Sequence, residues 1–239
     1  MFIDFHSHIL PGIDDGSRTI DESIAILDKM AEDQVDIVIA TPHFYPHEVS
    51  AEKFLQKRNE AYERLKPYLK PHHPEILLGA EVLFSSSLSD NKYLSDLCIQ
   101  GTEFLLLEMP YVRLTKSIIE GVEELADTPN LKLIIAHVER YLSFTSYDDI
   151  EKLMSLDVLG QLNSKSFDDR KKRKYCLKLL KQNYAHIIGT DFHRIDRGDL
   201  PLSFGYDVTA KKMGDETVDK LLDNAYKVIK NREIDEIVG

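Results

Sequence analysis

The apolar positions of this chain switch repeatedly between a period of two and a period of 3.6, and the switches mark its elements. Residues 2–5 read as a short strand, and Thr19-Ile-Asp-Glu22 is a capping box opening a helix in which Ile20, Ile24, Leu27 and Ala31 recur. Val35-Asp-Ile-Val-Ile-Ala40 is a β-branched run of the buried-strand kind and leads into Thr41-Pro42-His43. Residues 50–65 place Phe54, Ala61 and Leu65 on one helical side, and Pro67, Pro71 and Pro74 close that helix. Strands are expected again at 75–80, 104–107, 131–136, 158–162 and 185–189. Helical patterns occupy 115–126, 147–156 and 168–182, a polar connection spans 85–90, and two short helices follow Tyr206. Strands that alternate with helices predict parallel βα units. The expected fold is therefore an α/β barrel close to the (β/α)₈ type but with seven parallel strands, forming a single domain over residues 1–239.

Length and charge narrow the function. At 239 residues the chain suffices for one barrel. A net charge of −11, from 30 basic and 41 acidic residues, weighs against a nucleic-acid binder, which needs a basic face. No apolar stretch approaches the length of a membrane span, and the N-terminus is not of the signal-peptide kind, so a cytoplasmic protein without membrane insertion is expected. The two cysteines, Cys98 and Cys176, lie in apolar stretches and read as small buried hydrophobes in a reducing compartment. Neither is followed six residues later by arginine, so a cysteine-based phosphate cradle is absent.

The candidate chemistry sits at the strand ends, where barrels of this kind carry their sites. A strand throws His6 and His8 onto one side, where two imidazoles can share an ion. Asp14 and Asp15, in the following Gly- and Pro-containing loop, can turn back toward the same place, Asp15 having the preferred spacing. His43, Glu81, Glu108, His137, Asp191 and His193 follow the later strands. This nitrogen and oxygen ligand set, with no thiolate, suits manganese, iron or zinc, and it exceeds the needs of one tetrahedral ion. Two or three ions are implied, and the natural reaction of such a site is hydrolysis of a phosphate ester.

His6-Ser-His8, Asp15, Thr41-Pro-His43, Glu81, Glu108, His137-Val-Glu-Arg-Tyr141 and Asp191-Phe-His193 together resemble the polymerase and histidinol phosphatase (PHP) superfamily. The order of motifs and the length are most similar to the manganese-dependent bacterial protein-tyrosine phosphatases of capsule and exopolysaccharide operons. The resemblance implies a distorted PHP barrel in which His6, His8, Glu81 and Asp191 hold one ion. Glu81 would bridge to a second ion shared with Glu108 and His137, and Asp15, His43 and His193 would hold a third. Manganese is the implied metal, with iron or zinc as alternatives. Arg140 and Arg197 are the expected phosphate clamp, with Arg194 as the alternative to Arg197, because guanidinium matches phosphate oxygens bidentately. The implied substrate is the tyrosine-phosphorylated tail of a bacterial kinase that controls polysaccharide synthesis, attacked by a metal-bridging hydroxide. Histidinol-phosphate phosphatase is the alternative activity, and a degenerate, non-catalytic barrel would predict missing ligands.

Other residues take plainer expectations. His72 and His73 are expected in solvent and His186 hydrogen-bonded within the fold, and His47 takes the same plain reading, with substrate contact at the rim of the site as its alternative. Phe44 and Tyr45 either stack on a substrate ring or simply pack, and the lysines from Lys165 to Lys181 form a solvated face.

Overall fold

Every residue of β1 (Ile3–Ser7) is buried, its polar members included. The computed structural model describes residues 1–89 and 91–239, so Asp90, the last residue of the polar connection expected over 85–90, lies outside the described residues. After β1 come α1 (Ile20–Glu32), β2 (Ile37–Ala40), β3 (His43–Phe44), α2 (Ala51–Leu65), β4 (Glu75–Leu78) and β5 (Glu81–Leu83). Then follow α3 (Leu94–Leu97), β6 (Phe104–Glu108), α4 (Lys116–Ala126), β7 (Lys132–Ile135), α5 (Val138–Tyr141) and α6 (Tyr147–Met154). The chain continues through β8 (Val158–Asn163), α7 (Arg170–Lys181), β9 (Ile187–Gly189), α8 (Leu202–Met213), α9 (Asp215–Ile229) and α10 (Ile234–Val238). Thr19 caps α1 by accepting from the Glu22 backbone N–H, whereas the Glu22 carboxylate accepts from Arg18 N, so only half of the expected capping box forms. Ser50 caps α2, and three helices rather than two end the chain, the first opening at Leu202, ahead of Tyr206.

All strand pairs are parallel, in the orders β1-β2-β4 and β3-β5-β6-β7-β8-β9. Nine strands replace the expected seven among the described residues because two of the predicted runs, 35–40 and 75–80, are each followed at the same level by a second, short strand. The ladder is interrupted between Ala40 and His43, where Pro42 has no N–H to give it, and again at Gly79-Ala80. The halves stay in step, with Gly79 N donating to Ala40 O at 2.9 Å and Glu81 N to Pro42 O at 3.1 Å. Consequently His43 and Glu81, in mutual register, open new strands instead of ending old ones. The first strand lies beside the segment after the last: Asp191 N donates to His6 O at 2.7 Å and His8 N to Phe192 O at 2.8 Å.

Alternation along the strands sorts the core. Phe104 and Leu106 join Ile3, Phe5, Ile134, Leu159 and Ile187 in one apolar cluster, which also takes Ala225, Val228, Ile234 and Ile237 from α9 and α10. Leu105, Leu107, Leu133 and Ile135 join the larger cluster with the other helices. Glu108 shares the parity of Phe104 and Leu106, and Glu81 is in register with Leu106, so both carboxylates continue the inner face where its apolar residues run out.

Candidate metal centre

Each of the central imidazoles is aimed from behind. Asp14 Oδ2 lies 2.7 Å from His8 Nδ1, and a carboxylate can only accept, so that nitrogen carries the proton and Nε2 presents its lone pair. Gln161 Oε1, 3.3 Å from His6 Nδ1, does the same for His6 while accepting from His137 N at 2.8 Å. The carbonyl of Asp191 receives His193 Nδ1 at 2.9 Å. Such outer partners fix the tautomer and ring orientation of metal-binding histidines. Two glycines make room: a Cβ at Gly16 would stand 2.4 Å from His8 Cβ, and one at Gly189 2.7 Å from His6 Cβ.

In front of these rings the ligand atoms converge. His6 Nε2 and His8 Nε2 are 3.2 Å apart, Glu81 Oε2 is 3.1 and 3.3 Å from them, and Asp191 Oδ1 is 3.3 Å from each. Ligands held by one ion at about 2.1 Å stand roughly 3.0–3.4 Å apart, which is the observed spacing. His43 Nδ1 also approaches Glu81 Oε2, at 2.9 Å, yet neither atom has an aligned hydrogen-bond partner. Buried polar atoms normally find partners. A cation among them would satisfy lone pairs that face each other without a proton between, so the residues present fit a metal.

The remaining candidates surround this group. Asp15 Oδ1 lies 3.3 Å from His193 Nε2 and 3.6 Å from His43 Nε2, and His137 Nε2 lies 2.8 Å from Glu81 Oε1 and 3.7 Å from Glu108 Oε1. Sets with ligand atoms close enough for one ion are His6–His8–Glu81, His43–Glu81–Glu108 and His8–Asp15–His43–His193, so His43 shares in two of them. All nine expected ligands thus lie in one connected cluster, with Asp14 behind His8 instead of facing it. His137 and Asp191 adopt left-handed backbone, at φ 33° and 55°, a conformation costly for non-glycine residues that serves here to turn both side chains inward.

The electrostatics call for a cation. Burial opposes ionisation of Glu81 and Asp191, but positive charge at His6, the charge that a metal ion in front of the ring would take over, and, for Asp191, Arg140 hold both well below the usual carboxylate range. Burial and the adjacent Glu81 push Glu108 up, the mark of two carboxylates crowded together. Burial pushes His137 down to about 4, which keeps it a neutral ligand.

A cavity of about 870 Å³ opens over the cluster and is lined by both expected arginines. Arg140 donates to Asp191 Oδ2 at 2.5 Å, and Asn163 Nδ2 reaches the same oxygen at 2.9 Å, leaving Oδ1 for the histidines. Arg197 donates to Asp15 Oδ2 at 3.0 Å. Arg194 pairs with Asp196 and does not line the cavity. Tyr45 lines the cavity with its ring against His43, whereas Phe44 is core. Contrary to a purely solvated basic face, Lys165, Arg170 and Lys172 also line it, because the turn before α7 folds over the opening.

Sequence reasoning missed Asp14's place behind His8, and Gln161, Asn163 and Tyr111 altogether. Gln161 carried a usable signal, a polar residue inside the buried strand Val158–Asn163. Among the other histidines, His47 is exposed, and His186 accepts from Gly160 N at 3.0 Å as expected for a hydrogen-bonded core residue. His73 corrects its expectation: its side chain is only 1% exposed, because it folds back onto Asp28. Both cysteines are buried and free.

The profile of a family described as capsular polysaccharide synthesis, CpsB/CapC, matches residues 2–230. The tyrosine-protein phosphatase CpsB of Streptococcus agalactiae serotype III (strain NEM316) is 27% identical over 252 residues, covering 97% of this chain and 100% of that protein. The tyrosine-protein phosphatase YwqE of Bacillus subtilis (strain 168) is 26% identical over 246 residues, at 97% and 93% coverage. Among solved structures, one from the work on YwqE of Bacillus subtilis and CpsB of Streptococcus pneumoniae, described as unique metal-dependent tyrosine phosphatases, superposes with a TM-score of 0.83. It covers 97% of this chain and 95% of that one at 21% identity, a likeness of fold. With the family profile running over nearly its whole length, the chain belongs to the CpsB/CapC family of capsular polysaccharide synthesis proteins.

Proposed function

We propose that this chain is a metal-dependent protein-tyrosine phosphatase that acts in the cytoplasm on the phosphorylated tyrosine tail of a kinase governing capsular or exopolysaccharide synthesis. The relatives named as tyrosine-protein phosphatases support the activity. The observation that carries the chemistry is the convergence of His6, His8, Glu81 and Asp191 at 3.1–3.3 Å beside the Arg140 guanidinium.

Manganese is the proposed metal, in two or three ions. His6, His8, Glu81 and Asp191 would hold one; Glu81, Glu108 and His137 a second; Asp15, His43 and His193 a third. Bound there, the ions would supply an acidified water and neutralise charge on the ester. Arg140 grips the non-bridging phosphate oxygens from one side, oriented by Asp191 and Tyr111, and Arg197 grips them from the Asp15 side. Both guanidinium groups would stabilise the charge that grows in the transition state. Phenolate departs readily and asks little of a general acid. The strand passes are read as a distorted barrel of the PHP type, a reading supported by the parallel bridge between Ser7 and Phe192.

Phosphate release measured with manganese, comparing a phosphotyrosine peptide with histidinol phosphate, tests this. Preference for the peptide, abolished by a chelator, is expected. Chelator-resistant turnover would overturn the metal centre, and preference for histidinol phosphate would move the protein into amino-acid biosynthesis.

A further inference from the structure

We propose that Tyr111 is the wall on which the aromatic ring of the substrate packs, and that it makes this site selective for aryl over alkyl phosphates; this rests on the phosphatase activity proposed above. Tyr111 follows the strand that delivers Glu108, in the segment between β6 and α4. Its ring lies nearly parallel to His137, at 18° with centroids 6.1 Å apart, and Phe144 supports it at 5.3 Å. Its hydroxyl accepts from Arg140 Nη1 at 3.4 Å. Despite these contacts the residue is 41% exposed, and it lines the cavity above the ligand cluster.

That combination gives the ring a specific place. A tyrosine needed only for packing would bury its face, whereas this one holds Arg140 with its hydroxyl and keeps apolar surface open beside the arginine proposed to grip phosphate. A phosphoryl group seated on Arg140 carries its ester oxygen and first substituent past Tyr111. A phenyl substituent gains ring-on-ring contact there, while an alkyl chain has no face to offer. Tyr45, stacked 5.2 Å from His43, borders the cavity beside a different ligand and is the internal comparison.

The test uses the manganese-loaded full chain and two non-hydrolysable probes, benzylphosphonate and propylphosphonate, titrated by calorimetry. The wild-type chain is expected to bind the benzyl probe about five- to tenfold more tightly, the worth of an aromatic pair. Tyr111→Ala and Tyr111→Leu should each bring that ratio to within about twofold of unity, and Tyr111→Phe should keep it, because the ring and not the hydroxyl supplies the contact. Should the alanine variant fold poorly by thermal melting, the leucine variant, which keeps the bulk, decides. An unchanged ratio in these variants, an equal weakening of both probes, or a collapse caused by Tyr45→Ala instead would overturn the proposal. Because the readout is binding, failure of the ring wall is distinct from failure of phosphotyrosine hydrolysis, which is measured separately.

Discussion

Among the described residues two clusters of histidine and carboxylate stand out, and they differ in what stands behind each ring. In the centre, His6, His8 and His193 turn Nδ1 toward oxygen atoms of Gln161, Asp14 and Asp191, so each places its proton at the rear and a lone pair in front. In the second cluster, on α1 and the turn after α2, Asp28 Oδ1 meets His72 Nε2 at 3.0 Å and His73 Nε2 at 2.9 Å, which matches the spacing of a metal site equally well. There, however, His73 Nδ1 accepts the Lys70 backbone N–H at 3.1 Å, so its proton lies on Nε2 and points at Asp28. Lys70 Nζ occupies the other face of the carboxylate at 2.9 Å. Ligand types and distances alone do not make a metal site; the partner of the far nitrogen decides which way the lone pair faces.

The largest effect that would break this comparison is loss of metal from the wrong cluster. Glu81→Ala, which removes a ligand of two of the proposed ions, should lower bound manganese by elemental analysis to at most one ion and abolish phosphate release, whereas His72→Ala and His73→Ala should leave both unchanged. Arg140→Ala should keep the metal and lower kcat by about 10²–10³-fold, as removal of one transition-state donor does.

His186 sharpens the rule from a third position, since its Nδ1 also accepts a backbone N–H and burial pushes it down to about 4. Below its ordinary pKa near 6.5 the unfolded chain takes up a proton that the folded chain refuses, so stability falls as pH drops from 6.5 to about 4. Linkage sets the loss at up to about 3 kcal/mol, and urea unfolding of His186→Gln across that window should show a flatter pH slope. Next in size, Asp14→Ala leaves His8 untethered and should weaken metal affinity about 10–100-fold by competition with a metal buffer. Smallest is Asp28→Asn. Lys70, His72 and His73 hold Asp28 below the usual carboxylate range, so its contribution is present above pH 4 and fades in stronger acid, but solvent screening at this surface site leaves only a slight drop in melting temperature at neutral pH.

Much of this was legible along the chain. The spacing of His6 and His8, the histidine or carboxylate that follows most of the apolar runs, and the cap at Thr19 are local facts, fixed by periodicity and residue chemistry. The predicted runs end at Ala40 and Ala80, and the short strands that resume at His43 and Glu81 were not legible, because two or three residues show no period and only the neighbouring strands reveal their pairing. Tyr111 looked like one aromatic among many until the fold set it against His137 and Arg140.

By itself, then, the chain determined the alternation of strands and helices and the kinds of atom available to a metal, since both follow from side-chain identity at a given period. Which aspartate supports and which faces the cluster, which histidine presents a lone pair, and which arginine reaches the cavity were decided only by tertiary structure. Those choices depend on hydrogen-bond partners far away in sequence, such as Gln161 behind His6 and Asn163 beside Asp191, and on left-handed backbone at His137 and Asp191 that the surrounding fold has to enforce.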